Sequence, residues 1–309
     1  MKKNLFFTIT LGSFMIFSCS KKEEKEAPVT ESNDPVIEVV TNAMDFQMED
    51  SIPSGWNTFR YVNKSNEAHF FVLEKLPDGI RLLNYENELI PVFKEGFDFM
   101  KLGNMEEGMK AFEKIPQWFG GVVNHGGVGI LSGNSVGETT LFLDPGVYAM
   151  ECYIRMPDGT PHVFLGMLKE VIVTDEASEL VEPQADYNIS ISSTEGIQFQ
   201  DSITAGNFQF GVEFEDQQLY EHFAGHDVNL VKLQEGASLD SLVAWINPSN
   251  MFALSSPEPK EFVFMGGTED MPAGKKGYFK AELAPGNYVL ISEVPDALNR
   301  KMVYSFKVY

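Results

Sequence analysis

The side chains able to do covalent or ligand chemistry are few. The 309-residue chain holds two cysteines, Cys19 and Cys152, and five histidines, at 69, 125, 162, 222 and 226. No Gly-x-Ser-x-Gly elbow, zinc-protease helix motif or phosphate loop accompanies them. Gly126-Gly127-Val128-Gly129 is glycine-rich but leads from no clear strand into a helix, so it reads as a turn. The acidic run Glu213-Phe214-Glu215-Asp216 lacks the alternating oxygen spacing and central glycine of a calcium loop. Cys152 sits in an alternating segment that puts Tyr148, Met150, Cys152 and Ile154 on one face. Val147, Ala149, Glu151 and Tyr153 take the other. The first face is apolar, so a thiol there is either a small buried hydrophobe or a soft metal ligand.

Cys19 has a different context. Met1-Lys2-Lys3-Asn4 is basic, residues 5–17 are an apolar run, and Ser18-Cys19 follows. That run is too short for a stable span, which needs about 20 residues, and reads as a cleaved signal, residues 1–18. The junction Ile16-Phe17-Ser18-Cys19 resembles the lipobox of bacterial lipoproteins, with a bulky Phe17 where a smaller residue is usual. The resemblance implies that Cys19 carries lipid. Each buried methylene is worth about 0.8 kcal/mol, so several acyl chains anchor a protein firmly. Residues 19–35 show no apolar period and are expected to form a flexible tether. No Asp follows Cys19, so inner-membrane retention is not indicated, and an outer-membrane lipoprotein of the cell envelope is expected. Lys21-Lys22-Glu23-Glu24 resembles the surface-export signal of Bacteroidota lipoproteins, and equally suits a solvated spacer.

Acidic residues outnumber basic ones 45 to 23, a formal charge of −22. Loss of the signal removes two lysines and leaves about −24. Such a field repels a phosphate backbone, so a nucleic-acid partner is excluded, and no basic patch exists for anionic lipid. The membrane is reached through the lipid alone. Once Cys19 is acylated, Cys152 has no disulfide partner in the chain.

The remaining length suits two domains, and the chain repeats itself. Phe46-Gln47-Met48-Glu49-Asp50-Ser51-Ile52-Pro53-Ser54-Gly55 returns as Ile197-Gln198-Phe199-Gln200-Asp201-Ser202-Ile203-Thr204-Ala205-Gly206, with five of the ten positions identical. The segment from His69 to Gly79 matches that from His226 to Gly236, Gly120-Gly121 matches Gly266-Gly267, and Leu143-Asp144-Pro145-Gly146-Val147-Tyr148 matches Leu283-Ala284-Pro285-Gly286-Asn287-Tyr288. The expected division is a first domain at 36–176, a linker at 177–186 and a second domain at 187–309. Residues 59–62, 69–73, 139–143, 147–154 and 168–173 are rich in branched and aromatic residues and read as strands. Each unit also carries a helical insertion. Asn104 can cap a helix whose first turn holds Glu106 and Glu107, with Met105, Met109 and Phe112 on one apolar face; Ser238 can cap residues 239–246. The fold class is mainly β: two tandem Greek-key sandwiches, each with a short helical insertion.

Each unit resembles the cupredoxin family, the small Greek-key sandwiches that include blue-copper electron carriers. Asn63-Lys64-Ser65-Asn66-Glu67-Ala68-His69 fits the family's early histidine, in a loop after an asparagine-bearing strand end. Pro145-Gly146-Val147-Tyr148-Ala149-Met150-Glu151-Cys152, then Pro161-His162 and Gly166-Met167, fit the closing ligands. The resemblance implies copper held by His69, Cys152 and His162, with Met167 as weak axial ligand. Two departures stand against it. Nine residues separate Cys152 from His162, where the family places fewer; that loop either folds out as a hairpin and returns His162 or carries it away. Phe70 stands where an asparagine usually braces the site. His226 is the counterpart of His69 in the second unit, but Ser292 aligns with Cys152, so that unit is expected to lack the metal ligands. His125 is an alternative ligand on a loop.

Two functions are compatible with these residues. One is a non-enzymatic, lipid-anchored binding or scaffolding module. The other is a copper-binding electron-transfer or copper-handling protein with one mononuclear site in the first domain.

Overall fold

The computed structural model describes Met1 and residues 35–309. The signal, Cys19 and the tether up to residue 34 lie outside them. Residues Pro35–Tyr309 form one compact unit of sixteen strands. Among the described residues no helix is long and apolar enough to cross a membrane.

The first copy runs β1 (Val36–Thr41), β2 (Ser51–Asn63), β3 (His69–Lys75), β4 (Val123–Leu131), β5 (Ser135–Leu143), β6 (Gly146–Glu151) and β7 (Leu168–Ala177). The second runs β8 (Tyr187–Ser192), β9 (Gly196–Gln198), β10 (Ser202–Ile203), β11 (Gly206–Phe214), β12 (Val228–Leu233), β13 (Phe262–Thr268), β14 (Lys276–Leu283), β15 (Gly286–Ile291) and β16 (Val303–Val308). Between β7 and β8 no strand forms. One layer has the order β1-β2-β5-β14-β11-β8-β9 and the other β7-β6-β3-β4-β13-β12-β15-β16-β10. Apart from the short terminal strands β9 and β10 the order reads the same from both ends, because the copies meet edge to edge through β5–β14 in one layer and β4–β13 in the other. No edge is left open between them, which removes two sites of unwanted strand pairing.

The repeat seen in the sequence is a repeat of register. Ser51 and Ile52 pair in parallel with β7, as Ser202 and Ile203 pair with β16. Gly55 lies opposite Leu143 and Gly206 opposite Leu283. After each Pro-Gly turn a tyrosine hydroxyl returns to the turn: Tyr148 donates to the Asp144 carbonyl at 2.7 Å and Tyr288 to the Ala284 carbonyl at 2.8 Å. One match shifts. Gly266-Gly267 corresponds to Gly126-Gly127, not to Gly120-Gly121. Gly127 and Gly267 face the partner-strand carbonyls of Phe71 and Val228 so closely that a β-carbon would sit 1.8 and 1.9 Å from those oxygens. Gly126-Gly127 therefore belongs to β4, where the sequence alone suggests a turn.

The core lies between the layers. Along β2, Asn57, Phe59, Tyr61 and Asn63 alternate inward. The ring of Phe71 on the opposite layer meets Phe59 and Tyr61 edge-on at 5.6 and 5.4 Å. Edge-to-face pairs add about 0.5–1.5 kcal/mol each to the burial of the rings.

The insertion between β3 and β4 holds α1 (Leu82–Asn84), α2 (Ile90–Lys101) and α3 (Met105–Phe112). That between β12 and β13 holds α4 (Leu239–Ile246), capped by Ser238 as expected. Asn104 accepts the Glu107 amide and caps α3, but of the expected apolar face only Phe112 packs, against Phe93 and Phe97 of α2. Met105 and Met109 are 51% and 55% exposed, and Gly108 and Ala111 are buried. Close approach of α2 decides this: a β-carbon on Gly108 would lie 2.9 Å from the Gly96 carbonyl. Gly96 and Gly108 let the two helices approach closely, and Met105 and Met109 are left outside the contact.

Candidate metal centre

Four elements carry the candidate ligands. His69 opens β3 after a loop ordered by Asn63, whose side-chain amide donates to the carbonyls of Glu67 (2.8 Å), Leu131 (3.1 Å) and Ser132 (3.2 Å). Its oxygen accepts from the Ser65 amide and hydroxyl. The second copy adds a clamp: Glu258 accepts the Ala68 amide at 2.9 Å, one residue before His69. Cys152 follows the last residue of β6, and Tyr148, Met150, Cys152 and Ile154 are all fully buried in the core, as the alternation requires. The opposite face is not solvent. Ala149 and Glu151 are buried against the helical insertion, where Glu151 accepts the Tyr85 hydroxyl at 2.7 Å.

The long segment from Cys152 to His162 folds out as a hairpin and comes back. Arg155 and Pro161 form a bridge, and the His162 amide donates to the Ile154 carbonyl at 2.7 Å. The extra residues thus project from the sheet without displacing His162. The Met167 amide donates to the His162 carbonyl, and the Cys152 amide to the Met167 carbonyl, each at 3.2 Å. Met167 is fully buried and its backbone is tied to both ligand positions.

The three side chains converge. His69 Nδ1 and His162 Nδ1 are 3.2 Å apart, and each is 3.9 Å from Cys152 Sγ. The point equidistant from these three atoms lies about 2.1 Å from each, the length of a metal–ligand bond to nitrogen and slightly short of one to sulfur. All three residues are fully buried. His69 Nε2 and His162 Nε2 have no hydrogen-bond partner. Burial pulls His69 down to about 4; burial and then the neighbouring His69 pull His162 down to about 3. Both rings are therefore neutral near pH 7, with lone pairs available to a metal. Burial pushes the Cys152 thiol well above its usual range, while the Phe70 and Ile154 amides beside the sulfur favour its thiolate. The donor set fits copper: two imidazoles and one thiol, able to ionise to thiolate, around one point in the buried core.

Phe70 lacks the side chain of a bracing asparagine. Its ring packs edge-on against Tyr153 at 4.5 Å, and only its amide serves the sulfur. His125 is not brought to the cluster; it lies on β4 with its ring edge against Tyr148 at 5.6 Å. Glu258 escaped sequence reasoning because it lies 190 residues from the amide it binds, and no local pattern marks such a contact.

The second copy has the same frame with other side chains. His226 occupies the place of His69, but its Nε2 bonds the Tyr220 hydroxyl at 2.9 Å. Ser292 stands for Cys152, and its amide donates to the Met302 carbonyl at 3.0 Å, as Cys152 does to Met167. Met302 thus stands at the place of Met167. Met302 in turn donates to Ala297, which stands where the first copy has His162. With thiolate and second imidazole replaced, the trigonal donor set is absent there.

Each copy contributes strands to both layers of a β-sandwich, with matching register between the copies. No family model and no curated protein matches the chain. Among solved structures, auracyanin A, a "blue" copper protein from Chloroflexus aurantiacus, is similar at 18% identity over 46% of this chain and 99% of its own, with a TM-score of 0.28. A multicopper oxidase is similar at 11% identity over 89% of this chain and 88% of its own, TM-score 0.23. The copper-containing nitrite reductase of Thermus scotoductus SA-01 is similar at 10% identity over 89% and 61%, TM-score 0.23. With TM-scores this low the similarities carry no argument, and the chemistry rests on the side-chain geometry.

Proposed function

We propose that the chain is a copper-binding protein of the cell envelope, with one mononuclear site in its first copy that carries single electrons. The observation that supports it is the convergence of His69 Nδ1, His162 Nδ1 and Cys152 Sγ within 3.9 Å of one another in the core. Copper in such a site would supply a one-electron couple. His69, His162 and Cys152 would hold it, and Met167 would stand as the weak axial donor. The paired amides of Phe70 and Ile154 steady the thiolate. Asn63 and the Cys152–His162 hairpin keep the ligands in place in either oxidation state, so little has to move when charge changes.

A carrier rather than an enzyme suits a site whose ligands are wholly buried, because substrate has no approach to the metal. Cys19 would anchor the protein to the outer membrane through lipid, with residues 19–35 as tether. The two copies would be two domains, 36–176 and 187–309, the second serving the first through Glu258. A scaffolding role alone is the weaker reading, since it leaves three converging donor atoms without a purpose. Addition of Cu(II) to the protein tests the proposal. An intense thiolate-to-copper absorption at one copper per chain is expected, and a colourless protein would overturn it.

A further inference from the structure

The second copy holds a buried group of acids that the copper site does not use. Asp227, Glu269 and Glu293 are 1%, 0% and 3% exposed. One carboxylate oxygen from each lies within 4.8 Å of the other two. Both oxygens of Glu269 and one of Glu293 have no hydrogen-bond partner. Among the described residues no lysine or arginine forms an ion pair with any of the three, and no hydrogen bond joins two of their carboxyls.

The first copy shows what the fold itself requires at this place. Register puts Phe70 where the second copy has Asp227, and Tyr153 where it has Glu293. There two rings fill the space at 4.5 Å, with no charge. Carboxylates in the same frame are therefore not demanded by packing, and burying them unpaired is costly.

Protons alone do not suit the arrangement. Asp227 Oδ1 accepts the Ser292 hydroxyl and the Glu293 amide, each at 2.7 Å, and Oδ2 accepts from Asn229, so its oxygens are already surrounded by donors, as an anion's are. Glu269 has the opposite surroundings, with no donor and no acceptor in reach of either oxygen. A cation between them answers both conditions.

We propose that Asp227, Glu269 and Glu293 bind a hard divalent cation, calcium by preference. The donors are all carboxylate oxygens, which select calcium, magnesium or manganese over copper and zinc. The oxygens lie within 4.8 Å of one another, which calcium with bonds of about 2.3–2.6 Å can bridge, and a fully buried cage suits calcium better than magnesium, which gives up its water reluctantly. The approach is a cavity of about 160 Å³ between the copies, lined by Glu293 together with Asp270, Glu74, Glu151, Tyr153 and Arg155. Carboxyl groups along that path offer oxygen donors to an entering cation. Arg155 is turned aside, donating to the carbonyls of Asn250 and Ala253. The ion joins the starts of β12 and of the segment after β15 to the end of β13, and so ties three chain segments at the seam between the copies.

The test uses the full chain in detergent, stripped with chelator and titrated with CaCl2 and, separately, TbCl3. One calcium per chain is expected by calorimetry, with a rise in Tm. Terbium luminescence sensitised by Tyr153, beside Glu293, should appear and be competed away by calcium. Glu269→Gln should weaken calcium about tenfold or more while leaving the thiolate–copper absorption unchanged. Should that variant fail to fold, Glu293→Gln and the pair Asp227→Phe with Glu293→Tyr, which copies the first unit, give the same readout. Absence of stoichiometric calcium uptake would overturn the proposal. So would uptake unaffected by all of these variants, which would assign the ions to surface acids, or a chelated wild type that binds nothing and is stabilised by Glu269→Gln, which would assign protons to the cluster.

Discussion

Replacing Cys152 by serine separates the metal role of the thiol from its packing role. The position tolerates serine in this fold, since Ser292 fills it in the second copy with the same backbone bond to a buried methionine. In the metal-free protein the new hydroxyl would lie near His69 Nδ1 and His162 Nδ1, each 3.9 Å from the present sulfur, and neutral imidazoles accept hydrogen bonds. The expected cost to the metal-free fold is therefore about 1 kcal/mol. Copper at a thousand times its dissociation constant stabilises the wild type by about 4 kcal/mol. For a unit of this size that raises Tm by about 8–16 °C, at about 2–4 °C per kcal/mol. Differential scanning calorimetry with and without Cu(II) should show that rise in the wild type and a small fraction of it in Cys152→Ser. Equal rises in the two proteins, or none in the wild type, would refute the assignment.

Met167→Leu should keep the thiolate–copper absorption and raise the reduction potential, because the weak axial donor that favours the oxidised ion is gone; protein-film voltammetry reads this, and an unchanged potential would remove Met167 from the ligand set. Asn63→Ala withdraws one side chain from three carbonyls at 1% exposure and should cost about 2–4 kcal/mol in urea unfolding, with weaker copper binding; a loss under about 1 kcal/mol would contradict its role in ordering the His69 loop. His125 is pulled down to about 4, chiefly by burial. The folded state thus gives up its proton at lower pH than the unfolded chain, near 6.5, and stability is lost as pH falls from about 6.5 towards 4. The loss is at most about 3 kcal/mol. His125→Gln should remove that part of the acid loss, and parallel pH–stability curves for the two proteins would show otherwise.

Much of the fold is legible in the sequence because it follows from local pattern. Alternation along residues 147–154 places Cys152 on the apolar face, and the Pro-Gly turns mark where β6 and β15 begin. Helix caps at Asn104 and Ser238 are equally local. The packed face of α3 is not, because a partner helix seated on Gly108 overrides the stripe of Met105 and Met109. Gly127 shows the same limit: only the carbonyl of Phe71 across the strand explains why a residue without a side chain stands there.

The candidate site divides along the same line. The residue types and their order along the chain are sequence properties, and they name His69, Cys152, His162 and Met167. Whether nine intervening residues deliver His162 to the thiol or carry it off depends on a bridge between Arg155 and Pro161, which closes a hairpin and is a matter of three-dimensional pairing. Placement of the three donor atoms 3.2–3.9 Å apart, the clamp of Glu258 on the loop before His69, and the burial of unpaired acids between the copies all come from contacts far apart in sequence. The first is made within the first copy by the pairing of its own strands; the clamp of Glu258 forms only when the two repeats join edge to edge, since the atoms that meet there belong to segments with no local pattern in common.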